Sequence, residues 1–550
     1  MVRTGIAAVL LGLALLAPPH GALQAAEPPE AVESQKAAGA PEAAEPQEIA
    51  EPQEVARAID AQLGARLKAD GIAPAPLADD AEFYRRLSLD LIGRIPTEDE
   101  ARAFLDAPSP RKREAAIDRM LASAEHTEHF ANVWRALLIP EAETDRQIRY
   151  FLPGFEAWLR KRREENAGFD RIVRELLTVP ITGTEKQPQL VLTDLRAPNP
   201  IAFIAAKEAD PGKLAATATR LFLGIRLECA QCHNHPFDRW TQEQFWNQAA
   251  FFAGVQRKGR GPFAPVLEKP ETRTIALMSD ASKTVPAVFL DGRDPQLREE
   301  DRPRPQLARW MTARENPYFA QATVNRVWGQ LVGRGFVDPV DDFHESNPAS
   351  HPELLAFLAD DFNRSGFDLT RLYRVLCRTD AYQRTSRQTE ASQSDPQAFA
   401  RMSVKPMSGE QFYDSLAQAV RLEQRPPSKI MTRNEDPVRR RFLDTFGPQG
   451  DQRDPDTSVI QALTLMNGPL IGQATGGESR LLSALKTAHG DDRKRIVESL
   501  YLAALSRRPT EEEKVRIGRH LDGGPAEERD RRLGDVLWTL LNSAEFRWNH

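Results

Sequence analysis

Two cysteines two residues apart and followed at once by a histidine, Cys229-Ala-Gln-Cys232-His233, form the constellation in this chain whose residue types and spacing point to a definite chemistry. In a Cys-x-x-Cys-His pentad the short spacer lets both thiols reach the vinyl groups on one porphyrin edge. The adjacent imidazole then falls beneath the iron as an axial nitrogen. The pattern predicts c-type haem on Cys229 and Cys232, with His233 bound to the haem iron. Two other readings stay open. Cys229, Cys232 and one or both of His233 and His235 make a half-site for zinc, the only reading in which His235 is a metal ligand. The two thiols alone make a turn disulfide, redox-active or structural, although no βαβ pattern of the thioredoxin kind surrounds them.

A low-spin haem needs a second axial ligand, and Met407, Met466, His344 and His351 qualify by type. Each also has a packing role to fill. Met466 lies in an apolar helical run, where a core methionine is expected, and His351 lies in Ser350-His-Pro-Glu353, which reads as a capping box with His351 at the first helical position. The acidic cluster Asp338-Pro-Val-Asp341-Asp342-Phe-His344-Glu345 has the groups for acid–base or metal chemistry, but a hydrated loop is the preferred reading. No Gly-x-Ser-x-Gly, His-Glu-x-x-His or phosphate-binding loop accompanies it to support a hydrolase. Cys377 lies in a helical pattern and reads as a buried apolar thiol.

The elements around the pentad read as helices. Asp210-Pro-Gly212 opens one whose apolar stripe is Leu214, Ala218, Leu221, Phe222 and Ile225, and Gly224 ends it. After the pentad, Thr241 and Gln244 cap another. Further helices are expected near 110–123, 128–138, 145–164, 168–178 and 198–207, then from 304 onward. Arg94-Ile-Pro-Thr-Glu-Asp-Glu100 and Arg507-Arg-Pro-Thr-Glu-Glu-Glu513 start helices alike, with Thr97 and Thr510 at the N-caps. Residues 257–301 are rich in Pro, Lys and Thr with short β-like pieces, and 425–456 read as a polar loop excursion. The fold class is therefore mainly α: two multi-helix domains, 56–256 and 302–550, joined by the short irregular connector 257–301.

The N-terminus carries Arg3 and then a 13-residue apolar run, Gly5–Ala17, too short to span a bilayer but suited to a signal peptide cleaved near Ala26. No cysteine follows that run to take a lipid anchor. The expectation is a periplasmic or secreted protein with no transmembrane span after cleavage. Residues 27–55 hold eight Glu and one Lys with no aromatic residue, and read as a disordered acidic tether. Their net of −7 exceeds the chain's net charge of −6, which leaves the body near neutral. A neutral body argues against a nucleic-acid partner. A redox or envelope protein partner is expected instead.

Several longer stretches are similar to one family. Phe83 to Thr97 and the Cys run through Asp238-Arg-Trp240 resemble the first domain of the planctomycete cytochrome-c-like family. Asn316–Ala320, Val324-Asn-Arg-Val-Trp328, Gly333–Phe343, Ser350–Leu355, Gln461–Asn467 and Leu541–Phe546 resemble its second domain. The resemblance implies a secreted or periplasmic protein whose pentad earns the cytochrome label, with a second domain of no assigned activity.

Overall fold

The computed structural model describes residues 49–190, 197–423, 436–447, 459–525 and 528–550. The expected leader, and the tether as far as Glu48, lie outside them. Order begins earlier than the composition suggests. A helix runs Pro52–Ala69, with Glu51 and Glu54 closing a capping box and Pro52 at its start. Val55 and Ala56 are already buried, so residues 52–55, read as tether, are the first turn of a packed helix.

The fold is mainly α, two multi-helix segments joined by a connector. The connector holds two small antiparallel pairs, Val255–Arg257 with Val266–Glu268 and Thr274–Ala276 with Thr284–Pro286. One helical and one loop expectation change. The stretch 145–164 breaks at Tyr150 and restarts as Leu152–Glu164. Pro153, in that helix's first turn, has no N–H to extend the preceding one. Within 425–456, Pro437–Phe446 is a helix capped by the Asp436 side chain. Arg439, Arg440 and Arg441 disguise it as polar, yet Phe442 and Phe446 pack on Phe412, with centroids 5.4 and 5.3 Å away.

Helix Asp80–Ile92 holds the segments together. Phe83, Leu87 and Leu91 enter a large apolar cluster that draws from both sides of the connector, including Trp158 and Phe222 before it and Phe319 and Trp328 after it. Leu89 instead joins a second cluster built from residues 412–546. Arg85, buried beside Leu87, donates to the carbonyls of Ala504 (3.0 Å) and Phe546 (2.9 Å). The carboxylate of Asp90, also buried, accepts from Tyr382 (2.9 Å), Lys405 (2.8 Å) and Asn549 (2.7 Å). Three partners are what a buried carboxylate needs to offset its lost hydration.

The two look-alike helix starts are structural twins. Gly93 (φ 75°) and Ser506 (φ 61°) end the preceding helices in the left-handed region. Arg94 then forks onto Glu100 (2.8 and 3.0 Å), and Arg507 onto Glu513 (2.8 Å twice). Each glutamate also closes its capping box with Thr97 or Thr510. The two units face each other through Arg102–Glu498 and Arg508–Asp106 ion pairs at 2.8 and 2.7 Å.

Candidate functional site

Helix Pro211–Leu223 delivers the chain to the pentad. The Asp210 side chain caps its start, and Gly224 stops it at φ 70°. Glycine is required there twice over. Its φ is left-handed, and a Cβ would stand 2.6 Å from a ring carbon of Phe343. The Gly224 carbonyl accepts from the Phe343 amide at 2.9 Å, so residues after the connector brace the chain as it enters the turn. A single 3-10 turn follows, Leu227–Ala230, with Leu227 and Ala230 buried. Cys229 points out, and Cys232, His233 and Asn234 continue on the surface.

Helix Gln242–Ala250 holds this turn from beneath. Gln242 Nε2 donates to the carbonyls of Gln231 (3.2 Å) and Cys232 (2.8 Å), and Trp246 Nε1 donates to Gln231 (3.1 Å). The Gln242 amide donates to Asn234 Oδ1 at 3.0 Å. These bonds fix the backbone of the pentad and leave its reactive side chains free.

The two histidines are prepared differently. His233 Nδ1 lies 2.7 Å from the Asn234 carbonyl. A carbonyl only accepts, so Nδ1 carries the proton and Nε2 keeps its lone pair, the arrangement of a metal-binding imidazole. His235 Nδ1 accepts from the Phe237 amide at 3.2 Å, which places the proton of its neutral ring on Nε2. While that bond stands, His235 has no lone pair to give. Both thiols are free and exposed. Two accessible thiols and one prepared imidazole on one turn fit the donor set of an attached haem. Among the described residues, no three His, Cys, Asp or Glu side chains converge as a metal site. Phe237 is 81% exposed and gives this surface an apolar element.

Of the four sequence candidates for a second axial ligand, His344 is the one whose loop abuts the chain leading into the turn. That loop is tied down by Arg226, which pairs with Asp341 at 3.0 Å and Asp342 at 3.7 Å. The acidic cluster therefore acts as a clamp on the segment just ahead of Cys229, with Glu345 exposed. Met407 packs at the edge of the second apolar cluster. Met466 is 48% exposed rather than in the core, because it lies on the open face of helix Val459–Asn467. His351 forms no capping box: Pro352 takes the first helical position, which its fixed φ suits, and His351 becomes the N-cap with no side-chain bond to the helix. Cys377 is buried as expected, and burial pushes its thiol well up.

Four residues outside the sequence candidates stand out. Asp90 and Lys405 form the buried pair described above. His129 lines a cleft of about 790 Å³ between helix Ala124–Leu138 and residues 405–422. Burial pushes it down to about 4, so it is neutral at pH 7. Arg326 is buried beside a second cleft. The partners of Asp90 lie 292 to 459 residues away in the chain, and nothing local marks any of the four.

Residues 58–257 match a family model, PSCyt2, described as a protein of unknown function (DUF1549). Residues 303–521 match a second, PSD1, also described as a protein of unknown function (DUF1553). No curated protein and no solved structure matches the chain. The chain thus joins a DUF1549 domain to a DUF1553 domain, a pairing typical of planctomycete-type proteins.

Proposed function

We propose that Cys229 and Cys232 carry a covalently attached haem, that His233 is its axial ligand, and that the exported protein passes electrons to a redox or envelope partner outside the cytoplasm. The observation that carries this reading is the joint presentation of two free, exposed thiols and an imidazole whose Nδ1 is committed to a carbonyl. When bound, the haem supplies one-electron chemistry. The protein's part is positional. Gln242 and Trp246 hold the backbone of the turn, and the Asn234 carbonyl orients the His233 ring. Phe237, four residues past the pentad, offers an exposed apolar ring. The Gly5–Ala17 run supports export, and among the described residues no helix is long and apolar enough to cross a membrane.

The test is the visible spectrum of the full chain made in cells with a working haem-attachment pathway. A c-type spectrum should appear. Cys229→Ser or Cys232→Ser should weaken it, and the double change should abolish it. His233→Ala should keep attachment but alter the ligand field, because the iron loses a nitrogen. A colourless protein holding one zinc, or one with only a reducible disulfide, would replace this reading with one of its two rivals.

A further inference from the structure

A cleft of about 1100 Å³ opens between residues 136–144, the helix end at Arg220–Arg226, and residues 333–341 and 401–406. Six cations line it, and five are engaged. Arg226 pairs with Asp341 at 3.0 Å and Arg334 with Asp338 at 3.0 Å. Lys405 is held by Asp90 at 2.8 Å and by two carbonyls. Arg401 donates to the carbonyls of Ser386 (3.1 Å) and Gln393 (3.2 Å), and Arg220 stands 3.8 Å from Glu228.

Arg326 is the exception. It projects from helix Phe319–Val332 and is only 8% exposed. It makes no hydrogen bond or ion pair with any described residue, and its Nη2 is buried without an acceptor. Burial pulls its pKa down, and the charge of Arg220 adds to that, with Asp341 opposing. A guanidinium out of water with no acceptor is unfavourable, and such a group persists where something else completes it. Its planar fork matches an oxyanion with two oxygens.

The surroundings decide which oxyanion. Six cations face Glu143, Asp338 and Asp341 along the cleft, and Asp338 and Asp341 are already paired with Arg334 and Arg226, so the lining favours an anion. Leu137, Leu221, Val340 and Met402 supply apolar wall for a carbon body. We propose that this cleft binds a small organic carboxylate, which pairs with the Arg326 guanidinium while its apolar part lies against Leu137, Leu221 and Val340. No residue of the pentad lines this cleft, and the proposal does not depend on haem.

The test is thermal unfolding of the full chain with benzoate, with the neutral isostere benzamide, and with inorganic phosphate. Benzoate in tenfold excess over its Kd should raise Tm by about 1 °C, and benzamide and phosphate should not. Arg326→Met should hold or raise Tm without added ligand, because it removes an unpaired buried charge, and should lose the benzoate shift. A fall of several degrees in unliganded Arg326→Met would show that the guanidinium supports the fold and would overturn the proposal. So would an absent benzoate shift, or an equal shift with phosphate.

Discussion

The His233 ring hangs from the Asn234 carbonyl and the His126 ring from the Leu91 carbonyl, both through Nδ1 at 2.7 Å. Their surroundings then set them different tasks. His233 keeps an exposed Nε2, whereas His126 is 2% exposed and its Nε2 is buried without a partner. Burial, and then the charge of Arg163, push His126 down to about 3. An unfolded histidine titrates near 6.5, so on acidification the unfolded chain takes up a proton that the folded chain refuses. The contribution of His126 is fully present above about pH 6.5 and is lost as pH falls toward 3. By pH 4.5 the loss is roughly 2–3 kcal/mol at about 1.4 kcal/mol per pKa unit. His126→Asn can still donate to Leu91 but cannot titrate. Urea unfolding at pH 7.5 and 4.5 should show a smaller acid loss in the variant by that amount; equal losses would contradict the assignment. At this scale the pentad was legible because its chemistry is written in five consecutive residues. His126 and Arg326 were not, because being unpaired is a property of neighbours the sequence does not place together.

Helix ends carry much of the local order, and the two glycines at positions 71 and 224 separate the reasons for it. Both adopt left-handed φ, 69° and 70°. A Cβ at Gly71 meets nothing within 4 Å, whereas at Gly224 it meets the Phe343 ring at 2.6 Å. Gly71→Ala should therefore cost about 1 kcal/mol, from backbone strain alone. Gly224→Ala should cost about 3 kcal/mol, because Phe343 must also move. Denaturant unfolding compares them directly, and equal costs would mean that the Gly224–Phe343 contact is slack. The capping boxes at Thr97, Thr241 and Thr510 were readable because cap chemistry is local. Helix Pro437–Phe446 was missed because its three arginines mask one apolar face, although Asp436-Pro437 is a start signal in plain view.

For the molecule as a whole, the connector was visible in composition but the sharing of cores across it was not. Leu89 and Ile95 are buried with residues 412–546, and Arg85 reaches Ala504 and Phe546. Such pairings carry no sequence periodicity. Residues 49–550 form one compact unit, which predicts a single unfolding transition by far-UV circular dichroism and tryptophan fluorescence alike. Asp90→Leu strands Lys405 as a buried cation and should lower stability by about 3–5 kcal/mol without splitting that transition. Two separated transitions in the wild type would show that the segments fold apart. Haem attachment at the exposed turn is read from the intact mass of denatured protein made in haem-attaching cells. The expected mass is that of the processed polypeptide plus one haem, with the haem lost when Cys229 and Cys232 are both serine. The mass of the bare polypeptide from those same cells would contradict it.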